Sequence, residues 1–149
     1  MANTKKIPDG FRTITPFLNI KGCAEAIELY TKALGAEVIH MFKIPSGQVM
    51  HAELKIGDSR VLMSEAMQND ATTSSTFLYV EDSDAWWKRA TGAGFEVVQP
   101  LADQFWGDRW GLLVDRFGNR WAIATHIEDV PEDEMKKRAD EAMKSFAPK

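Results

Sequence analysis

The pattern of apolar and polar positions repeats once along the chain, at an offset of about 60 residues. Two apolar stretches, Phe17–Ile20 and Phe77–Val80, are each followed by an amphipathic stretch and then by segments that alternate in polarity. Alternation at every second residue indicates strands, and apolar spacing of three and four indicates helices. Each copy therefore reads as one strand, one helix and three strands, a βαβββ module.

Turn and capping residues set the bounds of these elements. The first copy is predicted to have a helix near 23–34, ended by Gly35, and strands near 13–20, 37–43, 48–56 and 60–66. The second copy is predicted to have a helix near 84–91, capped by Asp82 or Ser83, and strands near 76–81, 96–101, 109–115 and 120–126. The bounds of the larger units are module 1 at about 13–66, module 2 at about 75–127, and a C-terminal helix at about 131–146 that starts at Pro131.

Composition narrows the class of protein. With 149 residues, 44% hydrophobic and 27% charged, the chain is expected to fold as a single domain over 1–149. The net charge of -4 leaves no basic stripe for nucleic acid, and no run of about 18 apolar residues predicts a membrane span. We therefore expect a cytoplasmic protein without nucleic-acid or membrane partners. The single cysteine, Cys23, cannot form an internal disulfide and is interpreted as a structural residue.

Several motifs carry a resemblance to a known family. They are Thr15–Leu18, Val49–Leu54, Ala102–Arg109, Asp115–Trp121 and Ile123–Asp129. Together they resemble the PhnB-like branch of the vicinal oxygen chelate superfamily, which contains glyoxalases, bleomycin resistance proteins and extradiol dioxygenases. The resemblance implies an α+β fold in which two tandem βαβββ modules form a curved mixed sheet around a pocket. It also implies a homodimer.

The same resemblance implies where a metal would bind. Metal-using relatives place His or Gln on the first strand of each module and Glu on the last strand. These positions fall on Thr15, Val61, Ser75 and Ala122 in this chain. None of these side chains is a good ligand for a divalent ion, so we expect the family's metal site to be lost and no cofactor to be bound.

Strand alternation predicts which side chains line the pocket. The predicted ligand-binding residues are Phe17, Asn19, His51, Met63, Glu65, Phe77, Tyr79, Phe105, Trp106, Arg109, Trp110, Trp121 and His126. Glu65 and His126 are interpreted as equivalent positions of the two copies, and with His51 and Glu53 they are the candidates for acid–base catalysis or for a displaced metal.

Each of these residues also has a structural interpretation. Glu65 and His126 would then lie in solvent at strand ends, while His51 and Glu53 form local hydrogen bonds. The tryptophans of the second copy are interpreted either as pocket wall or as core, and Arg109 either as an ion-pair partner of Asp108 or as an anion-binding residue.

These observations favour a metal-independent protein that binds a small aromatic or amphipathic molecule in a dimeric cleft. The alternative is a lyase, isomerase or dioxygenase that uses Glu65, Glu53, His51 or His126 for proton transfer or as unusual metal ligands. A structural or regulatory dimer is a third hypothesis, and the presence of an open pocket would argue against it.

Overall fold

The computed structural model describes residues 4–67 and 71–144. Its elements follow the predicted order: β1 (Phe17–Ile20), α1 (Cys23–Leu34), β2 (Glu37–Lys43), β3 (Val49–Ile56), β4 (Ser59–Glu65), β5 (Ser75–Tyr79), α2 (Ser83–Gly92), β6 (Glu96–Asp103), β7 (Asp108–Val114), β8 (Arg120–His126) and α3 (Glu132–Lys144). The two tandem βαβββ units and the C-terminal helix are confirmed. The predicted helix end at 145–146 lies outside the described residues.

Most predicted bounds agree with the structure to within two residues, and α1, β2 and β8 agree fully. The first strand differs, because it begins at Phe17 and not near 13. Proline has no backbone N–H to donate to a ladder, so Pro16 ends the pairing on this side.

The helix ends are as expected. Asp82 accepts a hydrogen bond from the Ala85 amide at 3.1 Å, and Gly35 ends α1 with a φ of 66°.

The eight strands form two four-stranded mixed sheets. Their orders are β1-β4-β3-β2 and β5-β8-β7-β6, so the two modules have the same topology. In each sheet the first strand pairs in parallel with the last strand of its module, and the remaining pairs are antiparallel. The helix that follows the first strand covers one face of its own sheet.

The two modules share one hydrophobic core. The helices α1 and α2 pack against each other, and buried side chains from both sheets fill the space around them. Tyr30 of α1 contacts Trp121 of β8 and Phe95 edge to face, with ring centroids 5.1 and 6.3 Å apart. Because the helical faces of both sheets are used in this core, the opposite faces of the sheets lie on its outside.

A buried polar network joins the modules at the β7–β8 turn. The carboxylate of Asp115 accepts hydrogen bonds from the Tyr30 hydroxyl at 2.6 Å and from the Trp121 indole at 2.9 Å. It also accepts from the backbone amides of Phe117 and Asn119, at 2.8 and 3.1 Å. With four donors, this buried carboxylate is well satisfied, and it fixes both the turn and the position of α1.

The C-terminal helix α3 is held mainly by one arginine. Arg138 donates to both carboxylate oxygens of Glu128, at 2.8 and 3.0 Å, and to the Phe105 carbonyl at 3.2 Å. None of the residues of α3 is buried. Across residues 4–67 and 71–144, no helix is long and apolar enough to span a bilayer.

Candidate functional site

Strand pairing identifies the side chains on the sheet face that the helix leaves open in the second module. Tyr79 and Trp110 both pair with Ala124, and Asp108 pairs with His126. Side chains of paired residues point to the same face. We call this surface the module-2 face, and it consists of Phe77, Tyr79, Asp108, Trp110, Leu112, Ala122, Ala124 and His126.

One end of the module-2 face, where β7 begins, carries the carboxylate of Asp108, whose side chain is only 2% exposed. One oxygen accepts hydrogen bonds from the Tyr79 hydroxyl at 2.8 Å and from the Trp106 indole at 3.0 Å. The other oxygen lies 2.8 Å from Nδ1 of His126. Burial opposes ionisation of this carboxylate, yet the hydrogen bonds from His126, Tyr79 and Trp106 hold its pKa below the ordinary value. Asp108 is therefore a buried anion that orients three side chains.

His126 lies between two carboxylates. Its Nδ1 contacts Asp108 and its Nε2 lies 2.7 Å from Oδ1 of Asp129. A neutral imidazole has a single N–H, so both contacts are hydrogen bonds only when the ring is protonated. In agreement with this geometry, the hydrogen bonds to Asp108 and then to Asp129 raise the pKa of His126. The ring is half exposed, and the Asp129 side chain is fully exposed.

The backbone beneath Asp129 is fixed by Gly107. The amides of Ile127 and Glu128 donate to the Gly107 carbonyl at 2.8 and 3.0 Å. Gly107 has a φ of 98°, and a Cβ at this position would overlap the Glu128 carbonyl oxygen. Arg138 holds Glu128 from the other side. The segment that carries Asp129 is thus anchored, and the Asp129 side chain can rotate without movement of the backbone.

Aromatic rings extend from this polar group on both sides of the contacts made by Tyr79 and Trp106. Phe77 and Tyr79 lie side by side with ring centroids 4.8 Å apart. Phe105 and Trp110 each contact Trp106 edge to face, with centroids 5.1 and 5.6 Å apart. Phe77 is 47% exposed and Tyr79 is 64% exposed. Flat, accessible rings beside a few oriented polar groups are typical of small-molecule sites.

The first module has a corresponding open surface, which we call the module-1 face; it consists of Phe17, Asn19, His40, Phe42, His51, Glu53, Arg60, Leu62 and Ser64. Two of its charged groups bind each other. Glu53 forms an ion pair with Arg60 at 3.1 Å, and the rings of His40 and His51 lie 6.0 Å apart. As expected, His51 and Glu53 lie away from the helix. Phe17 and Phe42 are exposed.

The placement of Glu65 and Met63 on the pocket side is wrong. Phe17 and Asn19 pair with Leu62 and Ser64, so Met63 and Glu65 point to the helix side of the sheet. Met63 is fully buried in the core. The carboxylate of Glu65 accepts the amides of Gly22 and Cys23, at 2.8 and 3.2 Å, and thereby caps α1, which has no side-chain cap of its own. Glu65 and His126 are not equivalent positions.

Two further predicted ligand-binding residues lie on the helix side of the second sheet. Trp121 is 1% exposed, and its indole donates to Asp115, which resolves the alternatives for this residue in favour of the core. Arg109 forms ion pairs with Asp84 at 2.9 Å and with Asp103 at 3.1 Å, and not with Asp108. Arg109 is therefore committed to joining β7 to α2 and β6.

The residues present do not fit the family's metal site. On the last strand of the first module, the metal-ligand position was predicted at Val61, and the structure corrects it to Leu62. Leu62 pairs with Phe17 in the same way that Ala122 pairs with Phe77 in the second module. Leucine and alanine offer no donor atom to a metal. Within 4–67 and 71–144, no group of three or more His, Cys, Asp or Glu side chains could hold a metal ion.

Sequence reasoning missed Asp108 and Asp129 as the partners of His126. The signal for Asp108 was present, because the hairpin around the 115–119 turn pairs residue 114 with 120 and therefore 108 with 126. The contact of Asp129 depends on a loop, and alternation along a strand does not predict it.

Comparison with known proteins agrees with this architecture. The family model described as Glyoxalase/Bleomycin resistance protein/Dioxygenase superfamily matches residues 12–123. The uncharacterised protein Rv0887c of Mycobacterium tuberculosis is 32% identical over 134 residues, which cover 82% of this chain and 79% of that protein.

Two solved structures show the same fold. The PhnB protein from Bacillus cereus has a TM-score of 0.55 at 17% identity, covering 76% of this chain and 99% of its own. TnmS3 from Streptomyces sp. CB03234, described as an antibiotic binding protein, has a TM-score of 0.61 at 15% identity, covering 77% of this chain and 97% of its own.

Proposed function

Since this chain belongs to the glyoxalase/bleomycin resistance protein/dioxygenase superfamily, we propose that it binds a small aromatic or amphipathic molecule without a metal. The observation that carries the proposal is the module-2 face, where exposed Phe77 and Tyr79 lie beside a buried carboxylate that orients His126. Apolar rings provide most of the contact area in such sites, and a few fixed polar groups provide specificity.

The relatives support binding as a use of this fold. TnmS3 is described as an antibiotic binding protein, and its likeness covers 77% of this chain. The positions at which metal-using relatives carry ligands are apolar or hydroxyl side chains in this chain, namely Thr15, Leu62, Ser75 and Ala122. Binding that relies on ring contacts and hydrogen bonds needs none of these positions.

The proposal includes a homodimer. The helical sides of both sheets are used within the chain, which leaves the module-1 face and the module-2 face with exposed phenylalanines. Clustered apolar surface of this kind usually meets a partner or a ligand. A second copy would place its module-1 face over the module-2 face of the first, and symmetry would repeat the contact. Each cavity would then have walls from both protomers.

The test of the function is titration with a neutral aromatic probe, 2-naphthamide, by calorimetry with and without EDTA. We expect saturable binding that EDTA does not change and that Tyr79→Ala and Trp110→Ala weaken. Val97→Ala, at an exposed residue of β6 outside both faces, is the matched control. Binding that disappears with EDTA and returns with zinc would overturn metal independence, and the absence of binding would overturn the ligand-binding role.

A proton-transfer enzyme is the second candidate, and the Asp108–His126 pair favours it. A buried carboxylate that fixes the orientation of an imidazole is a common arrangement for a general base. The test is deuterium exchange into an aryl ketone in D2O, followed by NMR. Exchange that is faster with the wild-type protein than with His126→Gln would support an enzyme, and equal rates would reject proton transfer by His126.

A further inference from the structure

We infer that Nε2 of His126 is an anion-binding position, occupied by Asp129 in the free protein, and that the bound molecule is an aromatic acid whose carboxylate displaces Asp129. This inference rests on the proposed function and adds the chemical class of the ligand. It depends on three observations: the orientation of the ring, the nature of its present partner and the rings around it.

The first observation is that the His126 ring is held in place at Nδ1, the nitrogen that does not contact Asp129. Asp108 is buried, and it holds Nδ1 while it also accepts from Tyr79 and Trp106. The ring therefore has little freedom to turn, and its Nε2–H has a fixed direction. A donor held in this way selects acceptors by position, and a charged donor selects charged acceptors over neutral ones.

The second observation is that the present partner of Nε2 is easily replaced. The Asp129 side chain is fully exposed, and it contacts a histidine only three residues before it in the sequence. An exposed ion pair has a small free energy of association, because water solvates both charges well when they separate. After displacement, the carboxylate of Asp129 returns to water, while Gly107 and Arg138 keep the backbone in place.

The third observation is the apolar surface around the same group. Tyr79 and Trp106 both donate to the carboxylate that holds Nδ1 of His126, so both rings belong to the same side-chain cluster as the imidazole. Trp110 and Phe105 extend this surface through their contacts with Trp106. A carboxylate joined to a flat ring system would satisfy Nε2 and cover these rings together. An aliphatic acid would contact Nε2 but would not cover the rings.

The experiment compares 2-naphthoate with its neutral isostere 2-naphthamide on the full chain by calorimetry, at about pH 6, where His126 is protonated. We expect the acid to bind the wild-type protein about two- to five-fold more tightly than the amide, as for one solvent-accessible ion pair. Asp129→Asn should tighten the acid by a similar factor and leave the amide unchanged. His126→Gln should bring the acid to the level of the amide.

Asp140→Asn, in α3, removes the same charge at an exposed position outside the site and is the matched control. Equal affinity of acid and amide, or no gain with Asp129→Asn, would overturn the inference while the binding function stands.

A second measurement does not depend on aromatic binding. The chain has three histidines, so their Hε1 resonances can be assigned with His40→Gln and His51→Gln. Acetate added to Asp129→Asn should shift the His126 resonance and leave the other two in place, whereas acetamide should shift none. If acetate acts on His126 but neither naphthalene probe binds, the anion position stands and the proposed function fails. If acetate leaves His126 unchanged, the anion position is rejected whatever the naphthalene probes do.

Discussion

Tyr30 donates a hydrogen bond to Asp115 at 2.6 Å across 85 residues of sequence, and this bond joins the helix of the first module to the last turn of the second. Burial, followed by the nearby charge of Asp115, raises the pKa of Tyr30, so the hydroxyl remains a donor at any ordinary pH. Tyr30→Phe should lower the free energy of unfolding by about 1–3 kcal/mol, because a buried carboxylate loses a partner. Urea denaturation measures the change. Ser46→Ala, which removes an exposed hydroxyl, should have little effect, and equal effects would contradict the role of this bond.

Glu65 is expected to stabilise α1 and to have no part in binding. Its carboxylate accepts two backbone amides at the start of the helix, so Glu65→Ala should destabilise the protein by about 2–3 kcal/mol. Glu65→Gln keeps one acceptor oxygen and should cost less. Calorimetry with 2-naphthamide on the folded variants should give the wild-type affinity. A loss of affinity without a loss of stability would mean that Glu65 takes part in binding.

Cys23 should be unreactive in the folded protein. Burial, followed by the nearby carboxylate of Glu65, raises the pKa of the thiol to about 12, so almost no thiolate exists near neutral pH. Ellman's reagent should label Cys23 slowly in buffer and completely in denaturant. Rapid labelling of the native protein would mean that the thiol is accessible. Glu65→Ala should accelerate labelling through local opening at the start of the helix.

The stability that His126 contributes should decrease as the pH rises. Hydrogen bonds to Asp108 and Asp129 raise its pKa in the folded state, so this contribution is complete below the unfolded pKa of about 6.5 and is lost above the folded one. The difference in melting temperature between wild type and His126→Gln should therefore be largest near about pH 5.5 and smallest near about pH 9. His40→Gln, at an exposed residue of β2, is the control. A difference that grows with pH would contradict the assignment.

The proposed homodimer is tested by adding charge to the open faces. Phe17→Glu on the module-1 face and Phe77→Glu on the module-2 face should each produce monomers, because both side chains are about half exposed in the single chain. Light scattering after gel filtration should give twice the 16.8 kDa chain mass for the wild type and a single chain mass for the variants. Met143→Glu in α3 should remain dimeric. A monomeric wild type would reject the composite cavity.

Turn residues and alternation were sufficient to predict the order of the elements and most of their bounds. They were not sufficient to predict the face of β4. In this strand Val61, Leu62 and Met63 are all apolar, so the residues themselves do not show which side is buried. The alignment of Gly57 with Gly118 then set the register. These two glycines are 61 residues apart, whereas the structure makes Leu62 equivalent to Ala122 at an offset of 60, and this one-residue difference gave Glu65 the wrong face.

The same limit applies to β8, whose buried residues lie on both faces. Trp121 could be read as pocket wall because its neighbours Ala122 and Ile123 are apolar as well. By contrast, His51 and Glu53 were placed on the open side correctly, since β3 alternates between these polar residues and the buried Ala52 and Leu54. Where one face of a strand is polar the face is predictable from sequence, and where neither face is polar it is not.

Of the residues near His126, Gly107 is the one at which the backbone geometry excludes any other side chain. Any codon change that replaces this glycine introduces a Cβ against the Glu128 carbonyl and disturbs the loop that carries Asp129. The neighbouring ring of Phe105 contacts Trp106 edge to face and carries no polar group, so its exchange for another aromatic residue would reshape the surface while the loop stays intact. Trp106 is more constrained, because its indole donates to Asp108. A lineage of such proteins could in this way change its preferred compound through ring substitutions alone, with the glycine kept unchanged throughout.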